Sequence, residues 1–251
     1  MPGHIQSIER AAALLRLLSG APQGLSLGEI SRSSGLPKGT ALGLLRTLQH
    51  VGFVEQGTET GHYRLGGGLL SLGSRYLDGN ELRTRALNWA DSLASLSRES
   101  VRIGTLHEHQ VLVVHHVFRP DSSRQALDVG TLLPLHATSL GQVLLAFDPI
   151  ASTCDLPAFT RHTITSPDTL CERAEAVREA GWAWETDELV EGEMSVSAPI
   201  QDRRGITVGA IGVRGAVERL RGDGDGPDRE KVSYVRDAAR AISRELGATP
   251  F

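Results

Sequence analysis

The stretch Leu25 to Val54, LSLGEISRSSGLPKGTALGLLRTLQHVGFV, constrains the fold more than any other. It reads as two short helices joined by a tight turn. Ser26 followed by Glu29 has the spacing of a capping box. Gly35 suits a left-handed C-cap closing the first helix, and Pro37 suits the first turn of the next. Ala41, Leu44, Leu45 and Leu48 recur at i, i+3, i+4 and i+7, which predicts one buried stripe on a helix from Pro37 to His50. Gly39, Gly43, Arg46 and His50 fall on another face. A helical glycine costs ~1 kcal/mol against alanine, and on an exposed face it lets a backbone or a base edge come close. Taken alone, the stretch fits an ordinary αα-hairpin, or a helix-turn-helix whose second helix enters a DNA major groove.

The flanking residues separate those readings. Phe53–Gln56 and His62–Leu65 bracket the polar, Gly-bounded run Gly57-Thr58-Glu59-Thr60-Gly61, the pattern of a hairpin. A hairpin directly behind a helix-turn-helix is a wing. Ahead of it, Ser7 is the expected N-cap of a helix over Ile8–Ser19, with Ile8, Ala12, Leu15 and Leu18 inward. Gly20, Pro22 and Gly24 end that helix. Three helices and a wing predict a DNA-binding module; a winged module used for protein contacts is the alternative. The net charge of −4 hides an uneven distribution. Residues 1–75 carry seven Lys/Arg against four Asp/Glu, or +3, so a mildly basic head precedes an acidic body.

Gly66-Gly67-Gly68 is expected to end the wing, and Leu69 to Leu77 to form a short helix. Asp78-Gly79-Asn80 is the expected domain boundary. Glu81–Ser97 reads as a long amphipathic helix connecting two domains, with Leu82, Ala86, Trp89, Leu93 and Leu96 on one face. From Ser100 the period changes to two. Val101, Ile103 and Thr105 alternate with polar residues. Val111–Phe118, apolar on both faces, predicts a central strand that sends His115 and His116 to opposite sides. Ser123–Val129 is a further expected strand. Gly130 to Gly141 is expected to open a helix reaching Phe147, whose start offers N–H groups and hydroxyls to an anion. Pro149 to Pro167 reads as irregular. Beyond it come a helix over Asp168–Ala180, strands over Trp182–Glu185, Val196–Ile200 and Val208–Val213, and a last helix over Asp228–Leu246. The fold class is α/β (α+β): a winged helix-turn-helix domain over 1–79, a linker helix over 80–98, and a sensor domain over 99–251 with helices on a mainly antiparallel sheet.

Several classes are excluded. No apolar run approaches the ~18 residues of a membrane span, and the amphipathic, charged first helix is no signal peptide. Cys154 and Cys171 make no disulfide framework and lack metal-ligand spacing, so a reducing cytoplasm and no metal are expected. His107, His115, His116 and His136 are available as bases. Yet no nucleophile elbow, P-loop, dinucleotide or zinc-protease pattern accompanies them, so neither catalysis nor a cofactor is expected.

Four stretches carry a family likeness: Ser7-Ile8-Glu9-Arg10, Gly35-Leu36-Pro37-Lys38-Gly39-Thr40, Pro134 to Gly141, and Gly181-Trp182 … Glu188 … Glu191-Gly192 … Ala198-Pro199-Ile200. Together the chain resembles a regulator of the IclR family over essentially its whole length. Ile5–Ala12, Val113–Pro120 and Gly215–Leu220 bring it nearest to members that govern glycerol utilisation. The resemblance implies a homodimer or tetramer on pseudo-palindromic double-stranded operator DNA, a GAF-like effector-binding domain, and repression of a catabolic operon modulated by a small metabolite. DNA contacts are expected from Lys38, Gly39, Thr40, Gly43, Arg46 and His50 on the reading helix. Ser26 and Arg32 are expected near phosphates, and Thr58 to His62 near the minor groove. Carried across position by position, the family's effector pocket falls on Ser139, Leu140, Glu185, Ser195, Gly212 and Arg214.

Three positions depart from the pattern. Many relatives that bind small keto acids have serines where Gly212 and Arg214 stand, and most have an aspartate at Glu185. Arg214 facing a phosphate and Glu185 accepting from hydroxyls would suit glycerol 3-phosphate. An ion pair between Glu185 and Arg214 serving structure only, or Arg214 pointing to solvent, is the alternative for these side chains. An unrelated pathway with a small organic or aromatic acid as effector is the alternative for the ligand.

Overall fold

Ser26 starts a helix with both halves of the capping box in place: its hydroxyl accepts from Glu29 N, and Glu29 Oε2 accepts from Ser26 N at 2.8 Å. The computed structural model describes residues 4–147 and 155–249. The chain divides between Gly79 and Asn80 into two units.

The first unit comprises α1 (Gln6–Ser19), α2 (Leu27–Ser34), α3 (Lys38–His50), the antiparallel strands β1 (Val54–Gln56) and β2 (Tyr63–Leu65), and α4 (Gly67–Asp78). Gly35 closes α2 in the left-handed region, at φ 67°. Pro37 is the N-cap of α3 rather than its first helical residue. Leu14, Leu18, Ile30, Ala41, Leu45 and Leu48 meet under Val54 and Tyr63 as one core.

Three local expectations shift. Ile5, without a side-chain cap bond, precedes α1 where Ser7 was expected. Leu14 and Leu18 are the buried residues of α1, with Leu15 packed partly buried against them, while Ile8 is 63% exposed. Gly67 and Gly68 lie inside α4 instead of ending the wing. Gly68 N donates to Gly52 O at 3.0 Å, and a Cβ at Gly66 or Gly68 would collide with that backbone, so the glycines let the helix start against it. Leu25 also bridges Tyr63, adding a strand-like contact to the wing.

The second unit contains α5 (Glu81–Ser97), β3 (Ser100–His107), β4 (Gln110–Val117), β5 (Leu132–Pro134), α6 (Ser139–Phe147), α7 (Pro167–Ala180), β6 (Ala183–Thr186), β7 (Glu193–Gln201), β8 (Thr207–Ala216), α8 (Val217–Leu220) and α9 (Arg229–Glu245). Its six strands run in the order β5-β4-β3-β8-β7-β6, every neighbour antiparallel. Helices α5 and α9 cover one face; α6, with α7 behind it, covers the other. The stripe of α5 is Leu82, Ala86, Ala90, Leu93 and Ala94, with Leu96 60% exposed, so this helix belongs to the second unit's core.

Ser123–Val129 is not a strand. Side chains there answer the backbone locally: Arg119 N donates to Gln125 Oε1 at 2.8 Å and Ser123 N to Asp121 Oδ1 at 3.0 Å. The strand is instead Leu132–Pro134, at the edge, where a proline needs no ladder partner. This makes β4 second from the edge rather than central. Its two buried faces reflect helices on both sides of the sheet. The expected irregular segment falls partly outside the described residues, as does Cys154. No described helix is long and apolar enough to cross a membrane, and no metal-binding cluster occurs among the described residues.

Candidate DNA-reading face and effector pocket

Burying Ala41, Leu45 and Leu48 turns the opposite face of α3 outward. Lys38, Gly39, Gly43, Arg46 and His50 are exposed there, and Thr40 is half-buried. A Cβ at Gly39 or Gly43 would meet nothing within 4 Å, so the unit's own packing does not require glycine at either place. The side chain of Arg32 is exposed and bonds back to Gly28 O at 3.3 Å. Ser26 is half-buried with its hydroxyl committed to Glu29. On the wing, His62 is half-buried, and its carbonyl accepts from Gly57 N at 2.8 Å.

The register of the sheet brings the six expected effector residues together. Glu185 stands opposite Ser195, Ser195 opposite Arg214, and Ser197 opposite Gly212. Directly opposed residues share a face, so one polar row crosses β6, β7 and β8. The N-terminus of α6 lies over it, with Ser139 Oγ 2.6 Å from Ser197 Oγ and Ser139 N donating to Ser195 Oγ at 3.4 Å. Gly141 lets α6 lie against the chain that precedes it, because a Cβ there would run into the backbone of Leu135. Ser139, Leu140, Glu185, Ser195, Gly212 and Arg214 line one cavity. It is tight: about 20 Å³ admits the centre of a water molecule. A ligand of several heavy atoms therefore displaces a lining side chain on entry.

Gly212 has a packing reason. A Cβ there would overlap Ser197 Oγ and the Val196 carbonyl. The hydroxyl lost at position 212 is thus replaced from the neighbouring strand. Arg214 does not pair with Glu185; its ion-pair partner is Glu193. Glu185 instead accepts from Ser195 Oγ at 2.5 Å and Glu188 N at 3.2 Å.

Burial dominates the charges. It pushes Glu185 up to about 7, against the opposing pull of the Ser195 and Glu188 hydrogen bonds and of Arg214. Burial also raises Glu188 to about 7, opposed by Arg173. Glu188, next to the cavity through its N–H bond to Glu185, accepts from Gln142 Nε2 of α6 at 2.9 Å and Arg173 Nη1 of α7 at 3.4 Å. Arg214 is lowered to about 10, first by burial and then by the charge of Arg102. Arg102, Ser197, Thr138, Leu189 and Val190 also line the cavity. Arg102 sits at a polar position of the alternating β3 pattern. That alternation, in a sheet covered on both sides, was the signal for a buried charge.

A winged helix-turn-helix with an open, basic helix face and a sheet domain enclosing a polar cavity define a ligand-responsive DNA-binding regulator. The comparisons with known proteins agree. The IclR helix-turn-helix domain matches residues 7–57, and the bacterial transcriptional regulator IclR C-terminal domain matches residues 74–244. The chain belongs to the IclR family of bacterial transcriptional regulators. It is 53% identical to the glycerol operon regulatory protein of Streptomyces coelicolor and 51% identical to that of Streptomyces griseus, each alignment covering 100% of both chains. A solved regulator from Rhodococcus sp. RHA1 superposes with a TM-score of 0.81 at 28% identity, covering 97% of this chain and 99% of that one.

Proposed function

We propose that this chain represses a glycerol-utilisation operon and that glycerol 3-phosphate, bound in the cavity between α6 and the sheet, modulates that repression. The full-length identity to two glycerol operon regulatory proteins carries the pathway. The cavity chemistry supports the ligand: Arg214 offers a charged donor fork, and Glu185 with the three serines offers hydroxyl partners. Residues 1–79 read DNA through Lys38, Thr40, Arg46 and His50, with Gly39 and Gly43 admitting the groove edge. Ser26 and Arg32 lie near the phosphates, and the wing around His62 approaches the adjacent minor groove. Residues 99–251 hold the effector. A homodimer, or a dimer of dimers, in the cytoplasm matches a pseudo-palindromic operator.

Calorimetry of glycerol 3-phosphate against the wild-type protein and Arg214→Ala tests the ligand. The wild type should bind and the variant should lose most of that affinity. Equal affinities would remove Arg214 from the site, and no binding by the wild type would remove glycerol 3-phosphate as effector.

A further inference from the structure

Arg102 is the one cavity-lining arginine that the family pattern does not mark. It stands on β3 directly opposite Gly212, so its side chain rises from the same sheet face as Arg214. The two are diagonal neighbours across an antiparallel pair, a separation long side chains readily span. No side chain at Gly212 stands between them. Arg102 is 8% exposed. Its Nη2 donates to Asp128, whose own N–H donates to His116 Nδ1 at 3.2 Å. Its Nε–H is buried and meets no acceptor among the described residues. A charged donor left unmet inside a protein is costly, and such groups in native structures call for an explanation.

The second arginine explains what would meet it. Arg214 is ion-paired with Glu193, whose side chain is 32% exposed. Two guanidinium groups in one small cavity repel each other. A ligand group bearing two negative charges relieves that repulsion, whereas a monocarboxylate can answer only one of them. A phosphate monoester carries about −1.5 to −2 at pH 7 and three acceptor oxygens.

We infer that Arg102 and Arg214 form a two-arginine clamp for a dianionic phosphate group, which would give the unmet Nε–H of Arg102 an acceptor. Arg102 is thereby a specificity-determining residue that favours phosphorylated ligands over carboxylates. Asp128 holds Arg102 in place. Glu193 is the stand-in anion that the phosphate displaces from Arg214. Ser139, Ser195 and Glu185 are left for the hydroxylated remainder. The identity of that remainder rests on the effector reading above; the clamp itself does not.

Calorimetry on the full chain separates the two claims. The probes are inorganic phosphate, glycerol 3-phosphate and glycerate, and the variants are Arg102→Gln and Arg102→Lys. The lysine variant keeps a charge beside Asp128, so it decides the matter if the glutamine variant does not fold. The wild type should bind both phosphates, and glycerate more weakly than glycerol 3-phosphate. Each variant should lose about tenfold or more toward the phosphates, the loss of one charged hydrogen bond, and much less toward glycerate. Unchanged phosphate affinity in both variants overturns the clamp while leaving the effector reading standing. Arg102-dependent binding of inorganic phosphate with no tighter binding of glycerol 3-phosphate supports the clamp and overturns the effector. Glycerate binding as tightly as glycerol 3-phosphate, or wild type binding neither phosphate, overturns the clamp.

Discussion

Gly212 shows how one residue carries a departure from a family pattern. Its missing side chain is filled by Ser197 Oγ from the adjacent strand, and the Val196 carbonyl closes the remaining space. Gly212→Ala should therefore destabilise the second unit by ~1–3 kcal/mol through overpacking. Ser197→Ala should restore only part of it, since the carbonyl stays; chemical denaturation of the single and double variants reads this directly. Glu185 and Glu188 make a pH prediction. Both are held near 7 in the folded chain by burial, against 4.5 ordinarily. Arg214, Arg173 and Asp187 are the charges around them, Glu185 itself raises Glu188, and Ser195 and Gln142 are neutral partners. Between those two values the folded chain keeps protons that the unfolded chain has released, so stability falls as pH rises through the window and levels off above it. Thermal midpoints measured across that range should decline for the wild type and decline less for Glu185→Gln. Identical slopes would contradict the assignment.

At the scale of elements, α3 is built for an outside partner. Its inner stripe is complete, while two glycines on the open face have no packing role. Gly43→Ala should stabilise the isolated protein by ~1 kcal/mol, since alanine is the better helix former. The same change should weaken operator binding, because the added methyl stands where the groove edge approaches. A variant that is both more stable and unimpaired on DNA would place the interface elsewhere. Arg46→Ala should weaken operator binding by at least ~1 kcal/mol, and fluorescence anisotropy on a labelled operator measures it. Helices and caps such as Ser26–Glu29 and Gly35 were legible in the sequence because their signals are local, within one or two turns. The sheet was less so. Leu132–Pro134 is too short to show alternation, and at Ser123–Val129 local side-chain bonds replace a ladder: Asp121 accepts from Ser123 N, and Gln125 turns back to the backbone of Arg119. Arg102 is not legible as a cavity residue in the sequence, because its place opposite Gly212 and diagonal to Arg214 comes from a register between residues over 100 positions apart.

At the scale of the molecule, two units divide the work. One presents an exposed helix face with a wing; the other encloses a cavity whose arginines, serines and buried carboxyls suit a small polar anion. The six expected cavity residues converge although no local pattern ties Ser139 to Arg214; the family likeness supplied that link, and the antiparallel order β3-β8-β7-β6 supplies its physical basis. Phosphate contacts on DNA should make operator affinity fall steeply with salt. On the proposed function, cavity occupancy governs DNA binding. The most direct test is operator affinity, followed by anisotropy at fixed salt, as glycerol 3-phosphate is titrated in. Affinity should change saturably, and Arg214→Ala should abolish the change. An affinity that stays constant at every ligand concentration would contradict the proposed function.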